Sequence, residues 1–188
     1  MKLLAIVGAV GAAVGLLMAA LVVEPTAAYA KDSGKKAPDF SAKATDGKMH
    51  TLASLTGDKA LVLYFISWSC PVNERAVTYY NEIAKAYKGK VNFVGVIDGD
   101  EKRFKSWNKG HKVPFKVLYD PDHDIIDAYK AKASPWVIVV NPAGEIEKTY
   151  KGYSEKSLKN LGDVMASHTK SKPAKINVEG APSYETYG

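Results

Sequence analysis

The order of apolar runs predicts an α/β fold, a three-layer sandwich with a central mixed β-sheet and an N-terminal β-hairpin. Three observations carry that expectation. Strand-length runs alternate with helical patterns, the arrangement that puts helices on both faces of one sheet. Leu61–Ile66 is continuously apolar, as a strand buried on both faces is, and residues 91–97 read as the next buried strand. The last two strand-like runs are joined only by the turn Asn141-Pro-Ala-Gly144, which closes the sheet with an antiparallel pair.

Taken in order, residues 40–44 and 48–52 flank Asp46-Gly47, a type I′ hairpin signal. The run at 61–66 follows as a central strand. After Cys70, Val72, Ala76, Tyr79, Tyr80, Ile83 and Tyr87 recur on one helical face, and Gly89 supplies a stop. A strand at 91–97 leads to Asp100, a helix cap, with the helix expected through Trp107 and ended by Gly110. Residues 115–119 form a strand, and Asp120-Pro121 turns into a helix over 123–131. Ser134-Pro135 precedes the apolar strand Trp136–Val140, and residues 145–150 return as an amphipathic strand. Ser154 caps a last helix carrying Leu158, Leu161 and Met165 on one side. No internal repeat is present.

Residues 1–30 form a signal peptide by pattern: Lys2, an apolar run from Leu3 to Val23, Glu24-Pro25, then the small-x-small triplet Ala28-Tyr29-Ala30. Cleavage is expected after Ala30, which directs the protein to the periplasm or the extracellular space; left uncleaved, this segment would be its membrane attachment. Residues 31–36 then form a flexible N-terminus, 37–168 one domain, and 169–188, rich in Lys, Pro and Gly, a disordered C-terminal tail. At 46% hydrophobic residues the chain can bury an ordinary core.

The net charge of +6 is spread along the chain as solvated lysines, with no basic stripe interleaved with aromatics, so nucleic acid is not an expected partner. The histidines at 50, 111, 123 and 168 have no ligand spacing, and no metal or cofactor is expected. Asp98-Gly-Asp-Glu101 and Asp120-Pro-Asp-His-Asp124 lack the calcium-loop pattern and read as turns and caps.

One cysteine in 188 residues excludes an internal disulfide, so the fold rests on packing. Cys70 falls where the strand Leu61–Ile66 gives way to a helix, and Pro71 suits the first helical turn because its missing donor is not needed there. Unpaired N–H groups and the positive dipole end at a helix start favour thiolate, the reactive form. The competing reading is a buried cysteine acting as a small hydrophobe.

The stretches Ala37-Pro-Asp-Phe40, Asp46-Gly47, Tyr64-Phe-Ile-Ser-Trp-Ser-Cys-Pro71, Tyr119-Asp-Pro-Asp122 and Ser134-Pro-Trp-Val-Ile-Val-Val-Asn-Pro-Ala-Gly144 occur in the order and spacing of the thioredoxin-like superfamily. More narrowly the chain resembles its redoxin branch, the alkyl hydroperoxide reductase and thiol-specific antioxidant proteins, in a single-cysteine form. The resemblance implies a thiol-dependent oxidoreductase with Cys70 as catalytic residue, attacking a peroxide or a disulfide and regenerated by an external thiol. Ser67, Trp68, Pro71, Asn73, Ser134 and Pro135 are then the supporting residues. Ser67 stands three before Cys70, as in peroxiredoxins, and would donate to the thiolate or to peroxide. Trp68 would flank the thiol on a docking surface. Ser134-Pro135 corresponds to the superfamily's cis-proline loop, whose backbone pairs with an extended substrate.

The chain departs from both patterns. Asn73 occupies the second position of Cys-x-x-Cys, so internal resolution of a mixed disulfide is impossible. Leu63 replaces the peroxiredoxin proline, Glu74 lies one residue out from Cys-Pro-x-Glu, and no counterpart of the family's later arginine precedes Trp136. Two further readings follow: a non-catalytic binding module that keeps the proline-loop groove, and a disulfide-linked homodimer through Cys70. The expected partners are an external thiol reductant or a protein thiol or disulfide.

Overall fold

A computed structural model describes residues 33–188. The expected signal peptide and residues 31–32 lie outside the described residues, and among the described residues no helix is long and apolar enough to cross a membrane.

The chain runs β1 (Ser41–Lys43), β2 (Met49–Thr51), α1 (Leu52–Thr56), β3 (Leu61–Ile66), α2 (Pro71–Ala86), β4 (Asn92–Ile97), α3 (Glu101–His111), β5 (Lys116–Tyr119), α4 (Asp124–Ala128), β6 (Trp136–Val140), β7 (Ile146–Lys151) and α5 (Glu155–His168). Five strands form one sheet in the order β5-β4-β3-β6-β7, and β1-β2 form a separate two-stranded sheet. β3, β4 and β5 are parallel, while β6 runs antiparallel to both β3 and β7. The sheet is therefore mixed, as the alternation of runs predicted.

Every residue of β3 and β6 is buried, because both faces of the sheet are covered. Val62, Tyr64 and Ile66 point into a core shared with Ala76, Tyr80 and Ile83 of α2 and with Leu158, Leu161 and Met165 of α5. Leu61, Leu63 and Phe65 point the other way, against Leu52 and Leu55 of α1, Ile125 of α4, and Ala42 of the hairpin. Burying a Val, Leu or Ile side chain is worth about 1.5–3 kcal/mol, so these alternating positions fix the register of the central strand.

Several local expectations are corrected. The 44–48 turn is not type I′: Asp46 has no positive φ, Gly47 has φ 77°, and Gly47 N–H donates to Ala44 O. That combination is a type I turn followed by a left-handed glycine, for which Asp-Gly serves equally well. Helix α1 was not expected; Thr51 and Ser54 start it with reciprocal cap bonds. Helix α3 continues through Gly110 and ends at Lys112, itself left-handed with φ 48°. Helix α4 spans Asp124–Ala128, shorter than the 123–131 pattern suggested.

Both flanks differ as well. Residues 34–36, read as flexible, lie along β7: Gly34 N–H donates to Ile146 O and Ile146 N–H to Lys35 O. An edge strand with unpaired backbone groups invites such pairing. The segment after Lys170, read as disordered, has no helix or strand of its own, yet Ala174, Ile176 and Val178 pack on the core built by α2 and α5.

Candidate active site

Cys70 is the N-cap residue of α2, with extended φ −83° and ψ 115°, and Pro71 opens the helix. The Cys70 carbonyl accepts from the N–H groups of Asn73 and Glu74, so the first turn closes on its backbone, not on its side chain. The sulfur is free of capping duty. It donates instead to Ser134 O at 3.6 Å, across the gap between α2 and the loop before β6. Cys70 as a residue is 9% exposed.

The Ser134–Pro135 peptide bond is cis. Ser134 ties the two loops together: its hydroxyl accepts from Ser67 N–H at 3.0 Å while its carbonyl faces the sulfur. Pro135 follows with no N–H, so no backbone donor competes there for the thiol. Cys70, Ser67, Ser134 and Pro135 are thus gathered at one end of β3 and β6. The expected hydroxyl contact of Ser67 differs. Its recorded bonds to this group of residues run through its backbone, with Cys70 N–H donating to Ser67 O at 3.2 Å.

Trp68, two residues before Cys70, is 41% exposed, and it does not line the cavity beside the thiol. Its backbone N–H donates to Asp98 Oδ1 at 2.8 Å, and the Arg103 guanidinium lies 5.5 Å from its ring centroid. Asp98 follows β4 just as Ser67 follows β3, and the ends of neighbouring parallel strands are where α/β proteins assemble sites. That rule is the signal by which Asp98 was legible, although sequence reading assigned it only to a turn. Arg103 comes in from the first turn of α3, a placement that sequence distance conceals.

Asn73 is fully buried beneath the site, one helical turn into α2. Its Oδ1 accepts a hydrogen bond from the Tyr64 hydroxyl, and its Nδ2 has no hydrogen-bond partner among the described residues. Burial pushes the Tyr64 phenol well above its usual range, with Tyr80 and Cys70 adding to the effect, so it serves as a neutral donor. The position where a second thiol would resolve a disulfide therefore holds an amide locked into the core. Arg75 is exposed on α2, and Lys59 donates to Gly89 O at the far end of β3, away from the sulfur.

A cavity of about 580 Å³ opens beside Cys70, lined by Phe65, Ile126, Ala131 and Ala133 together with Asp98, Asp127, Lys130 and Gly188. Its walls are largely apolar, and charged residues of both signs are among the lining. Among the described residues no group of three or more His, Cys, Asp or Glu side chains could hold a metal ion. Asp120 is a cap, as expected: its two carboxylate oxygens accept from Ile125 and Ile126 N–H at the start of α4.

This geometry has relatives. Over 127 residues the chain is 28% identical to the thiol-disulfide oxidoreductase ResA of Bacillus subtilis, covering 66% of this chain and 70% of that protein. The exposed lipoprotein thioredoxin of Streptococcus pneumoniae superposes with a TM-score of 0.58 at 24% identity, over 69% of this chain and 99% of that one. A secreted Mycobacterium tuberculosis disulfide oxidoreductase, homologous to Escherichia coli DsbE, gives 0.58 at 24% identity over 68% and 95%. Those two structures share the thioredoxin-like fold. Residues 33–149, well over half of the sequence and including Cys70 and the Ser134–Pro135 loop, match the AhpC/TSA family, and the chain belongs to it.

Proposed function

We propose that the protein is an exported thiol-disulfide oxidoreductase that works with a single thiol. The observation that carries this reading is the Cys70 sulfur, freed from capping at the start of α2 and facing the Ser134 carbonyl. The Cys70 thiolate attacks one sulfur of a partner disulfide, forming a Cys70–S–S–R bond while the other sulfur leaves as R′S⁻. An external thiolate R″S⁻ then attacks the mixed disulfide, restores the Cys70 thiolate and departs as R–S–S–R″. One disulfide is consumed and one formed. Asn73 cannot take the second step, so that thiol comes from outside the chain.

Disulfide exchange is favoured over peroxide reduction on charge. The chain has two arginines, Arg75 and Arg103; the first is exposed and the second lies over Trp68. Neither stands where the peroxide-orienting arginine of peroxiredoxins is required. Export rests on the apolar run closed by Ala28-Tyr29-Ala30, and agrees with relatives described as secreted or exposed. The mature protein then begins at Lys31, which N-terminal sequencing of the exported form tests.

The direct test uses a chromogenic aromatic disulfide. The native protein is expected to release one equivalent of aromatic thiolate, gain the mass of a single mixed disulfide, and lose it to added thiol. Native protein that forms no adduct, or that turns over hydrogen peroxide with thiol while ignoring disulfides, overturns the reading. The non-catalytic binding module has one observation in its favour, the nearly complete cover over Cys70. It requires that partners captured by the native chain are held equally by Cys70→Ser.

A further inference from the structure

The Ser134 backbone is already engaged. Ser134 N–H donates to Gly188 O at 3.0 Å and Gly188 N–H donates to Ser134 O at 2.8 Å, a closed antiparallel pair. This is the pairing an extended partner segment would make at the proline loop. Gly188 lies so close to the site that a Cβ there would stand 2.8 Å from Cys70 Sγ and 3.4 Å from Val72 Cγ2. A larger residue there would crowd the sulfur and require the thiol to turn aside.

The approach to Ser134 is built, residue by residue. Pro182 O accepts from Glu155 N–H in the first turn of α5, and Ser154 Oγ donates to Glu185 Oε1 at 2.8 Å. Tyr153 and Thr186 exchange two backbone bonds of 3.0 and 2.9 Å. Opposite them Gly152 has φ 90°, and a Cβ there would come within 2.6 Å of Thr186 O. The 152–153 corner is thus shaped to receive the segment. Tyr184 and Tyr187 meanwhile project outward, 74% and 59% exposed, and contribute no core of their own.

We propose that segment 182–188 is a built-in occupant of the partner-docking groove, lying as an extended strand across the thiol, and that a partner protein engages Cys70 by displacing it. This rests on the exchange reading above and adds to it the kind of partner. That partner is an extended polypeptide that takes over both backbone bonds at Ser134 and presents a small residue beside the sulfur. The anchors at Ser154 and Tyr153 hold the segment ready to close again after the partner leaves.

Alkylation of Cys70 by iodoacetamide in the full-length native protein reads the cover without requiring turnover. Thr186→Pro removes the N–H donated to Tyr153 and disfavours the paired backbone, and it is expected to raise the alkylation rate about tenfold or more. Glu185→Ala, which leaves the backbone intact, gives a smaller rise in the same direction and serves if the proline variant melts early. Tyr184→Ala leaves the rate unchanged. A synthetic peptide of residues 180–188 added to the proline variant slows alkylation again. Equal alkylation rates in the native chain and both anchor variants overturn the proposal, as does a peptide without effect. The aromatic disulfide separates this from the exchange reading. Faster alkylation with no mixed disulfide in either protein upholds the cover and removes the exchange. Mixed disulfide formed equally fast in all variants, with unchanged alkylation, does the reverse.

Discussion

Helices α2 and α5 begin alike and are finished differently. Each follows a strand or its turn, and each has an N-cap residue in extended conformation. At α5 the Ser154 hydroxyl accepts from Ser157 N–H, and the Ser157 hydroxyl accepts from Ser154 N–H in return. Two of the N–H groups that a helix start leaves unpaired are thereby satisfied. At α2 the equivalent residue is Cys70, whose side chain caps nothing. A thiol is a poor acceptor, so the start of α2 forgoes the stabilisation of a hydroxyl cap. One helix start is arranged for stability, and the other closes only on its own backbone carbonyl and leaves the N-cap side chain to face the proline loop.

Cys70→Ser breaks this comparison most severely. Exchange with the aromatic disulfide is expected to fall by on the order of 10³-fold or more, as for loss of an enzyme's nucleophile. Stability moves the opposite way. Serine at an N-cap is worth about 1 kcal/mol over a non-capping residue, roughly 2–4 °C in melting temperature for a chain of this size. A variant that melts several degrees lower would mean that the sulfur contributes packing that a hydroxyl cannot replace. The same variant removes any disulfide-linked homodimer, which comparison of reducing and non-reducing electrophoresis reads directly.

Asn73→Cys tests what the first turn of α2 lacks. Side chains one turn apart at a helix start are neighbours, the relation that a disulfide needs. Cys70 could then complete its own cycle, and the aromatic disulfide is expected to yield two equivalents of thiolate where the native chain yields one. The Tyr64 hydroxyl loses its acceptor in a fully buried place, at a cost of about 1–3 kcal/mol. A single equivalent released by folded variant would show that position 73 faces away from the sulfur.

The same contrast separates what the sequence disclosed from what it concealed. Strand β3, strand β6, the Ser154 cap and the placement of Cys70 and Pro135 at one sheet end were legible, because each depends on a run of apolar residues or on a local turn. Asn73 was legible as the substitute for a second thiol, but its bond to Tyr64 was not, since nine residues and a loop separate them in the chain. The Arg103 contact with Trp68 is tertiary in the same way. The segment after Lys170 did carry a local signal. Ala174, Ile176 and Val178 alternate with Lys175, Asn177 and Glu179, the period of an extended chain with one buried side. Its Lys, Pro and Gly content outweighed that alternation in the reading as disordered, and composition does not reveal the groove awaiting it.

Ser154→Ala probes the stability-built helix. Loss of the cap is expected to cost about 1 kcal/mol, up to about 2, and to lower the melting temperature without touching the thiol chemistry itself. It also deletes the hydroxyl that donates to Glu185. A drop in stability accompanied by faster Cys70 alkylation would link the two helix starts through segment 182–188. A drop in stability alone would leave them independent.

Helix α4 offers a third start, capped by charge, and gives the smallest expected effect. Asp120 Oδ1 accepts from Ile125 N–H and Oδ2 from Ile126 N–H, at 3.1 and 2.9 Å. Those bonds favour the carboxylate, yet burial is the larger influence and lifts its pKa above the ordinary aspartate value. A group whose pKa is raised by folding holds its proton more firmly in the folded state. Its contribution to stability is full below the unfolded pKa of about 3.9 and is lost as pH rises through the folded value. Asp120→Asn cannot ionise, so melts between pH 3 and 7 should show the native protein losing slightly more stability across that rise than the variant. The variant loses at every pH one of its two cap bonds, because an amide nitrogen cannot accept. If the native curve instead gained stability on the variant as pH rose, the two cap bonds would outweigh burial, and α4 would join α5 as a start arranged for stability.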